Sequence, residues 1–436
     1  MMSRLEKAFK ETELGWIPEE WDISNLENLT TKITDGAHHS PPTFDGGYPI
    51  ATVENMEHSS INVSACRTIS SEDFELLKKN SCSPEYGDVL LSKDGTIGKT
   101  LVYKQKDEIV LLSSIAIIRN NKNALLPQYL MFFLQSPYFY WNLERLRSGS
   151  AIKRIVLKDI KRVLLPIPSL KEQQKIASIL SSVDEAIEKT KSIIEQTKKV
   201  KKGLMQRLFT KGIGHTKFKK TEIGEIPDEW DVLALNDVLD FVGSGITPKG
   251  GSAVYQSEGI PFIRSQNVYP DGLRIDDIAF ISDVIHEKMN RSKVQEHDVL
   301  LNITGASIGR CTYVPKGFGE ANVNQHVCIL RSNEKIYYKY LAYFMDSSLG
   351  QRQIFLEQAG QTREGLNYQQ IRAFSITVPS MIEQEKIANI INNFNQKVNN
   401  ERKKLDTLQY LKKGLMQSLL TGKVRVKVDK AEVTQV

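Results

Sequence analysis

Cysteine is scarce in this chain: Cys66, Cys82, Cys311 and Cys328 are the only four in 436 residues. None forms a CxxC pair or stands at metal-ligand spacing from a histidine. That argues against a disulfide framework and a zinc ribbon, and leaves reduced buried thiols as the expected state. Long apolar runs are missing too. The richest, Ile109 to Ile118 (IVLLSSIAII), is too short to cross a bilayer and reads as a buried strand. The opening MMSRLEKAFKETELGW is charged and has no apolar centre, so no secretory leader is read there. A cytoplasmic location without membrane association is the expectation. Charge of one sign is also lacking overall, with 58 Lys and Arg against 52 Asp and Glu. The exception is local: Lys198 to Lys220 carries nine Lys and Arg and no acid. Such a run is either a solvated helix end near the negative pole of the macrodipole or a polyanion contact driven by counterion release.

What the chain does have is itself, twice. TELGWIPEEWDISNL (Thr12 to Leu26) returns as TEIGEIPDEWDVLAL (Thr221 to Leu235). PSLKEQQKIASIL (Pro168 to Leu180) returns as PSMIEQEKIANII (Pro379 to Ile391), and KKGLMQRLFT (Lys201 to Thr210) as KKGLMQSLLT (Lys412 to Thr421). The offset is 209 for the first block and 211 for the other two. Three separated blocks at a near-constant offset mean one large unit duplicated, not a solenoid of short repeats.

The repeat decides a tempting motif. DVLLSKDGTIGKT (Asp88 to Thr100) ends like a phosphate loop, but Lys93 stands where that loop needs its first glycine. Its twin DVLLNITGASIGRC (Asp298 to Cys311) has Arg310-Cys311 in place of Lys-Thr. The twin in turn holds Gly305-Ala306-Ser307-Ile308-Gly309, a nucleophile-elbow pattern whose serine the first copy lacks. Two incomplete chemistries at one position reduce to shared geometry: strands Val89–Ser92 and Val299–Asn302 enter a glycine turn and a second strand leaves it.

Each copy has an entry segment ending in Trp21 or Trp230, about 140 residues of β-branched runs and glycine turns, then a proline and a long helical pattern. Strand-rich parts segregated from long helices make an α+β class. In the first helix, from Glu172 to about Phe209, apolar residues fall at Ile176, Leu180, Val183, Ile187, Ile194, Leu204 and Leu208, with Thr190, Thr197 and Lys201 completing the stripe. The second helix matches with Ile387, Ile391, Phe394, Val398, Leu405, Leu408, Leu415 and Leu419, and with Glu401 and Lys412 as polar members. Steps of three and four sustained this long predict a coiled-coil seam. An antiparallel pair would relate the two globular parts by a pseudo-two-fold, which suits a duplex with its own two-fold and recurring grooves.

Between the repeated blocks the loops diverge. Arg264, Gln266, Asn267, Arg310, Asn324, Gln325 and Arg363 have donors and acceptors suited to purine edges; Glu54, Asn55, Lys93, Lys99, Lys153 and Arg154 are the counterparts in the first copy. His38, His39, Thr96, Thr247, Lys249, Ser307 and Thr362 complete the candidate set for DNA contact. His38-His39 lacks a third ligand, so no metal site is expected, and no catalytic residue is assigned.

Taken together, TEIGEIPDEW, the GDVLLS…GTIG and HDVLLN…GASIG turns, PIPSLKEQQKIASIL and KKGLMQRLFTKGIG resemble the specificity subunits of type I restriction–modification systems over essentially the whole chain. The resemblance implies a first target recognition domain at 1–168, a conserved helix at 169–211, a second recognition domain at 212–379, a second helix at 380–424 and a tail at 425–436. It implies an antiparallel coiled coil, and two domains each reading one half of a split, asymmetric site in double-stranded DNA. It also implies docking of two methylation subunits and of restriction subunits. Those partners would supply the chemistry with S-adenosylmethionine, ATP and Mg, leaving this chain without cofactor or catalysis. Accordingly, no NPPF-like or DPPY-like tetrapeptide occurs. Lys202, Leu204, Met205, Lys413, Leu415 and Met416 are the expected partner surface, with Lys201 and Lys412 facing solvent or that partner. The rival reading is a coiled-coil adaptor that bridges proteins without DNA.

Overall fold

The computed structural model describes residues 9–146, 154–358 and 365–427. It divides into two compact units, one formed by Met1–Lys189 with Leu405–Val436 and the other by Thr190–Lys404. The first unit is discontinuous in sequence and neither is bounded by the repeat, because each of the two long helices, Leu170–Lys211 and Met381–Leu419, contributes to both.

The same topology is built in each unit. In the first, Thr30–Asp35, Ile115–Asn120, Val89–Ser92 and Thr100–Val102 form an antiparallel four-stranded sheet in that order. In the second, Leu239–Ser244, Val327–Ser332, Val299–Asn302 and Cys311–Tyr313 repeat it. Val89–Ser92 and Val299–Asn302 are buried from end to end, which is why they read as continuous apolar runs and not as alternating ones. The run from Ile109 to Ile118 becomes two strands, because it bends at Leu112–Ser114 between Val110–Leu111 and Ile115–Asn120. The first of these joins a smaller mixed sheet with Tyr48–Ala51 and Arg67–Ile69; Asn322–Val323, Ile260–Ile263 and Ala279–Ile281 match it in the second unit. A two-stranded pair, Asp22–Asn25 with Leu164–Ile167, closes the first globular part just before its helix, and Asp231–Ala234 with Ser375–Val378 does so in the second.

The long helices are core elements. Ile176, Ala177 and Leu180 from the start of the first helix and Met416, Leu419 and Leu420 from the end of the second pack with Trp21, Phe133 and Phe139. In the other unit Met205, Leu208 and Phe209 join Ile387, Ala388 and Ile391 around Trp230 and Phe344. Burying each Ile, Leu, Met or Phe among them contributes about 1.5–3 kcal/mol. Within each unit the helices run antiparallel. In the first, Asp184 meets Lys412 while Glu172, earlier in its helix, meets Arg425, later in the chain. Of the expected seam, Ile176, Leu180, Ile187, Thr190, Ile194, Thr197 and Leu208 are buried, as are Ile387, Ile391, Val398 and Leu419. Asp184 and Met205 are buried next to the half-buried Val183 and Leu204. The stripe turns there to face the globular core as well as the partner helix.

The repeated Trp has a repeated partner. Trp21 Nε1 donates to Glu172 Oε2 at 3.3 Å, and Trp230 Nε1 donates to Glu383 Oε2 at 3.0 Å. Each carboxylate sits in the first turn of a long helix, where the macrodipole favours an anion. A basic side chain from the segment after the other helix completes each cluster: Arg425 Nε at 2.8 Å from Glu172, and His215 Nε2 at 2.9 Å from Glu383.

Candidate nucleic-acid interface

The glycine turns are strand-to-strand reversals, as their alignment requires. Val89–Ser92 pairs antiparallel with Thr100–Val102, and Val299–Asn302 with Cys311–Tyr313. No α-helix starts at either turn to receive a phosphate or to expose a nucleophile; the second turn holds only a three-residue 3-10 turn, Gly305–Ser307, whose Ser307 Oγ accepts a bond from Asn302 Nδ2 at 3.1 Å. Gly98 and Gly309 adopt φ of +95° and +85°. A Cβ on Gly98 would also meet the Tyr140 hydroxyl at 2.0 Å, so glycine is required by conformation and by space.

In the first unit three loops converge on this turn. Asp35, at the end of its strand, receives the buried Lys93 Nζ at 2.9 Å on one oxygen and His38 Nε2 at 3.2 Å on the other. His38 is 71% exposed, so the carboxylate orients an imidazole that faces solvent. Lys99 Nζ donates to the carbonyls of Val53 and Met56 at 3.2 and 3.0 Å, tying the glycine turn to the Thr52–Met56 loop. Arg154 lies 3.3 Å from Asp94 on that turn. His39, Glu54 and Thr96 are exposed.

The second unit brings together the matching loops with other chemistry. Thr247 donates to Gln325 Oε1, Gln325 Nε2 donates to His326 Nε2 at 2.8 Å, and His326 Nδ1 bonds Thr304. The guanidinium of Arg310 lies 4.7 Å from the centre of the Tyr269 ring. Arg264 Nη2 donates to the Asp277 carbonyl at 3.1 Å, and Gln266 Nε2 to the Asp277 carboxylate at 2.9 Å. Asn302 Nδ2 donates to Ser265 O at 2.8 Å and so ties the glycine turn to the Arg264–Asn267 loop. Lys249 is exposed.

Several expected contacts have other work. Asn55 and Asn267, 8% and 1% exposed, cap the turns that start at Thr52 and Arg264. Their amides also donate to Ala65 O and Arg274 O, so both residues shape the reading loops from within. Lys93 is buried against Asp35, and Asn324 is buried while accepting from His326 N. Lys153, Thr362 and Arg363 lie outside the described residues. On the helices, Met205 and Met416, each 5% exposed, belong to the two cores and not to an open surface. Lys201 and Lys412 are corrected too. Lys412 pairs with Asp184 at 2.6 Å and donates to Gln135 Oε1 at 3.0 Å; Lys201 pairs with Asp346 at 3.7 Å. Burial pushes the Asp346 carboxyl up to about 6 against the pull of Lys201, and lowers Lys201. Lys202 and Lys413 are exposed, and Leu204 and Leu415 half-buried. His326, Tyr269 and Asp35 were not among the expected site residues, since their roles come from neighbours distant in sequence.

The family model described as type I restriction modification DNA specificity domain matches the chain twice, over residues 18–199 and 227–410. A Methanocaldococcus jannaschii protein named for the MjaX type I restriction enzyme specificity subunit is 29% identical over 97% of this chain and 98% of its own length. The type I restriction enzyme MjaVIII specificity subunit of the same organism is 27% identical over 97% of both chains. Among solved structures, the type I restriction–modification S subunit from M. genitalium shares the fold, with a TM-score of 0.56 over 92% of this chain and 96% of that one at 16% identity.

Proposed function

Because this chain belongs to the family of type I restriction–modification DNA specificity domains, we infer that it is the sequence reader of such a complex, with each unit contacting one half of a bipartite, asymmetric site in double-stranded DNA. One observation carries this reading. The same loops converge on the same glycine turn in both units, yet one cluster presents His38, Lys99 and Arg154 and the other Thr247, Gln325 and Arg310. A kept scaffold with changed loop chemistry is what two modules reading different base sequences require. The exchange of Asp35 and Lys93 for Ser244 and Ile303 changes the floor of the site as well as its rim.

In this reading the chain performs no catalysis and binds no cofactor. Two methylation subunits would flip and methylate an adenine in each half-site with S-adenosylmethionine, and restriction subunits would use ATP and Mg. Their docking surface would be the outer face of the long helices around Lys202, Leu204, Lys413 and Leu415, with the exposed Val200 and Leu411 in place of the two buried methionines. The test is to map methylated adenines across the source genome with this gene intact and deleted. Loss of one split motif, with all others retained, is the expected result. An unchanged methylation map would refute the reading.

A further inference from the structure

Resting on that reading, we propose that Asp271 and Arg402 are positioning residues for base recognition in the second unit: a hairpin tied to the second long helix holds Tyr269 as the platform that aims Arg310. The hairpin consists of Val268–Tyr269 and Gly272–Leu273, with Pro270-Asp271 at its tip. Its Val268 is fully buried in the small-sheet core, so the hairpin is seated at its base as well as its tip. The Asp271 carboxylate accepts from Arg274 Nη2 at 2.9 and 2.8 Å and pairs with Arg402 of the helix. Pro270 and Leu273 on the hairpin and Asn392 and Asn399 on the helix enclose a cavity of only about 140 Å³. The Tyr269 ring has two guanidinium groups near its centre, Arg310 at 4.7 Å and Arg274 at 5.2 Å.

Arg310 has no carboxylate partner among the described residues, whereas Arg274 is held by Asp271. A guanidinium stacked on a ring keeps its N–H edge available and loses little freedom on binding. That edge matches the O6 and N7 acceptors of guanine. The first unit follows the same route with other side chains. Lys99, the counterpart of Arg310, is held by the carbonyls of Val53 and Met56. Met56 bridges Ile61 to close a hairpin, and His58 at its tip stands 3.6 Å from Glu188 on the first long helix. Loops drifting freely would not rebuild one path, from helix to hairpin tip to the cation of the glycine turn, from different residues.

The experiment uses the full chain assembled with its methylation subunits and a pool of duplexes randomised across the recognised site, with bound molecules sequenced. Arg310→Ala is expected to erase preference at one or two base positions in one half-site. Asp271→Asn and Arg402→Met should lower preference at those same positions by about tenfold, the scale of one bidentate base contact. Asp271→Glu, which keeps the charge, should retain it, and all four proteins should unfold near the wild-type temperature. The proposal is overturned if Asp271→Asn selects the wild-type sequences with wild-type discrimination, if it weakens both half-sites alike, or if Asp271→Glu is as impaired as Asp271→Asn. A wild-type complex that selects no sequence at all would instead defeat the DNA-reading assignment, and the present proposal with it.

Discussion

At the scale of single residues the two units solve one problem with inverted parts. Lys201 and Lys412 occupy equivalent helix positions, as do Asp346 and Gln135 on the packed helices and Asn395 and Asp184 on the facing long helix. Each lysine has one carboxylate, but it comes from the globular part in one unit and from the other long helix in the other. The stripe pattern marked both lysines as polar members of the seam; their partners lie too far away in sequence to be read from it. The arrangement has a pH signature. Asp346 sits at about 6 in the fold against an unperturbed 3.8, so the folded chain binds this proton more tightly than the unfolded chain. Its contribution favours folding fully below about pH 4 and fades as pH rises through 6. The difference in thermal midpoint, wild type minus Asp346→Asn, should therefore grow as pH is lowered from 7 to 5. A difference that stays flat or shrinks would contradict this. Asn55 and Asn267 teach the same lesson: an amide in a loop reads as a base contact until the turn that it caps is seen.

At the scale of elements, the glycine turns, their flanking strands and both long helices were legible, because period and internal repetition report local structure directly. The first helix extends two residues beyond each expected end and passes through Gly203. Gly203 and Gly414 are the informative exceptions. Each sits inside a long helix, and a Cβ at either position would meet no atom within 4 Å. Alanine in their place should stabilise the chain by roughly 0.5–1 kcal/mol. Nothing among the described residues calls for glycine there twice; under the proposed function, both positions would admit close approach of a methylation subunit beside Leu204 and Leu415. Gly203→Ala and Gly414→Ala should raise the unfolding midpoint while lowering recovery of methylation subunits in co-purification. Full recovery with both substitutions would remove that assignment. Met205 and Met416 misled because a helix stripe does not say which of two neighbouring apolar residues meets the core.

At the scale of the whole molecule, the sequence repeat and the compact units are out of phase, since the end of each long helix completes the unit begun by the other repeat. A substitution late in the chain should therefore loosen its beginning. Leu420 is fully buried among Trp21, Leu180 and Phe139, and Leu420→Ala should cost about 2–5 kcal/mol. Hydrogen exchange should rise in residues 9–146 and leave 212–358 unchanged; the opposite pattern would disprove this division. The two-unit plan was foreseen from the repeat, but this crossing of segments was not, because no local pattern records which distant helix end fills a core.

One site is read in two halves by two dissimilar loop clusters on a common scaffold. The most direct test replaces residues 212–379 by residues 1–168, so that both units carry the first cluster, and maps adenine methylation in cells that supply the methylation subunits. The exchanged chain should direct methylation to a symmetric motif: one half of the original site, repeated in inverted orientation, with the other half gone. Retention of the original asymmetric motif by the exchanged chain would contradict it.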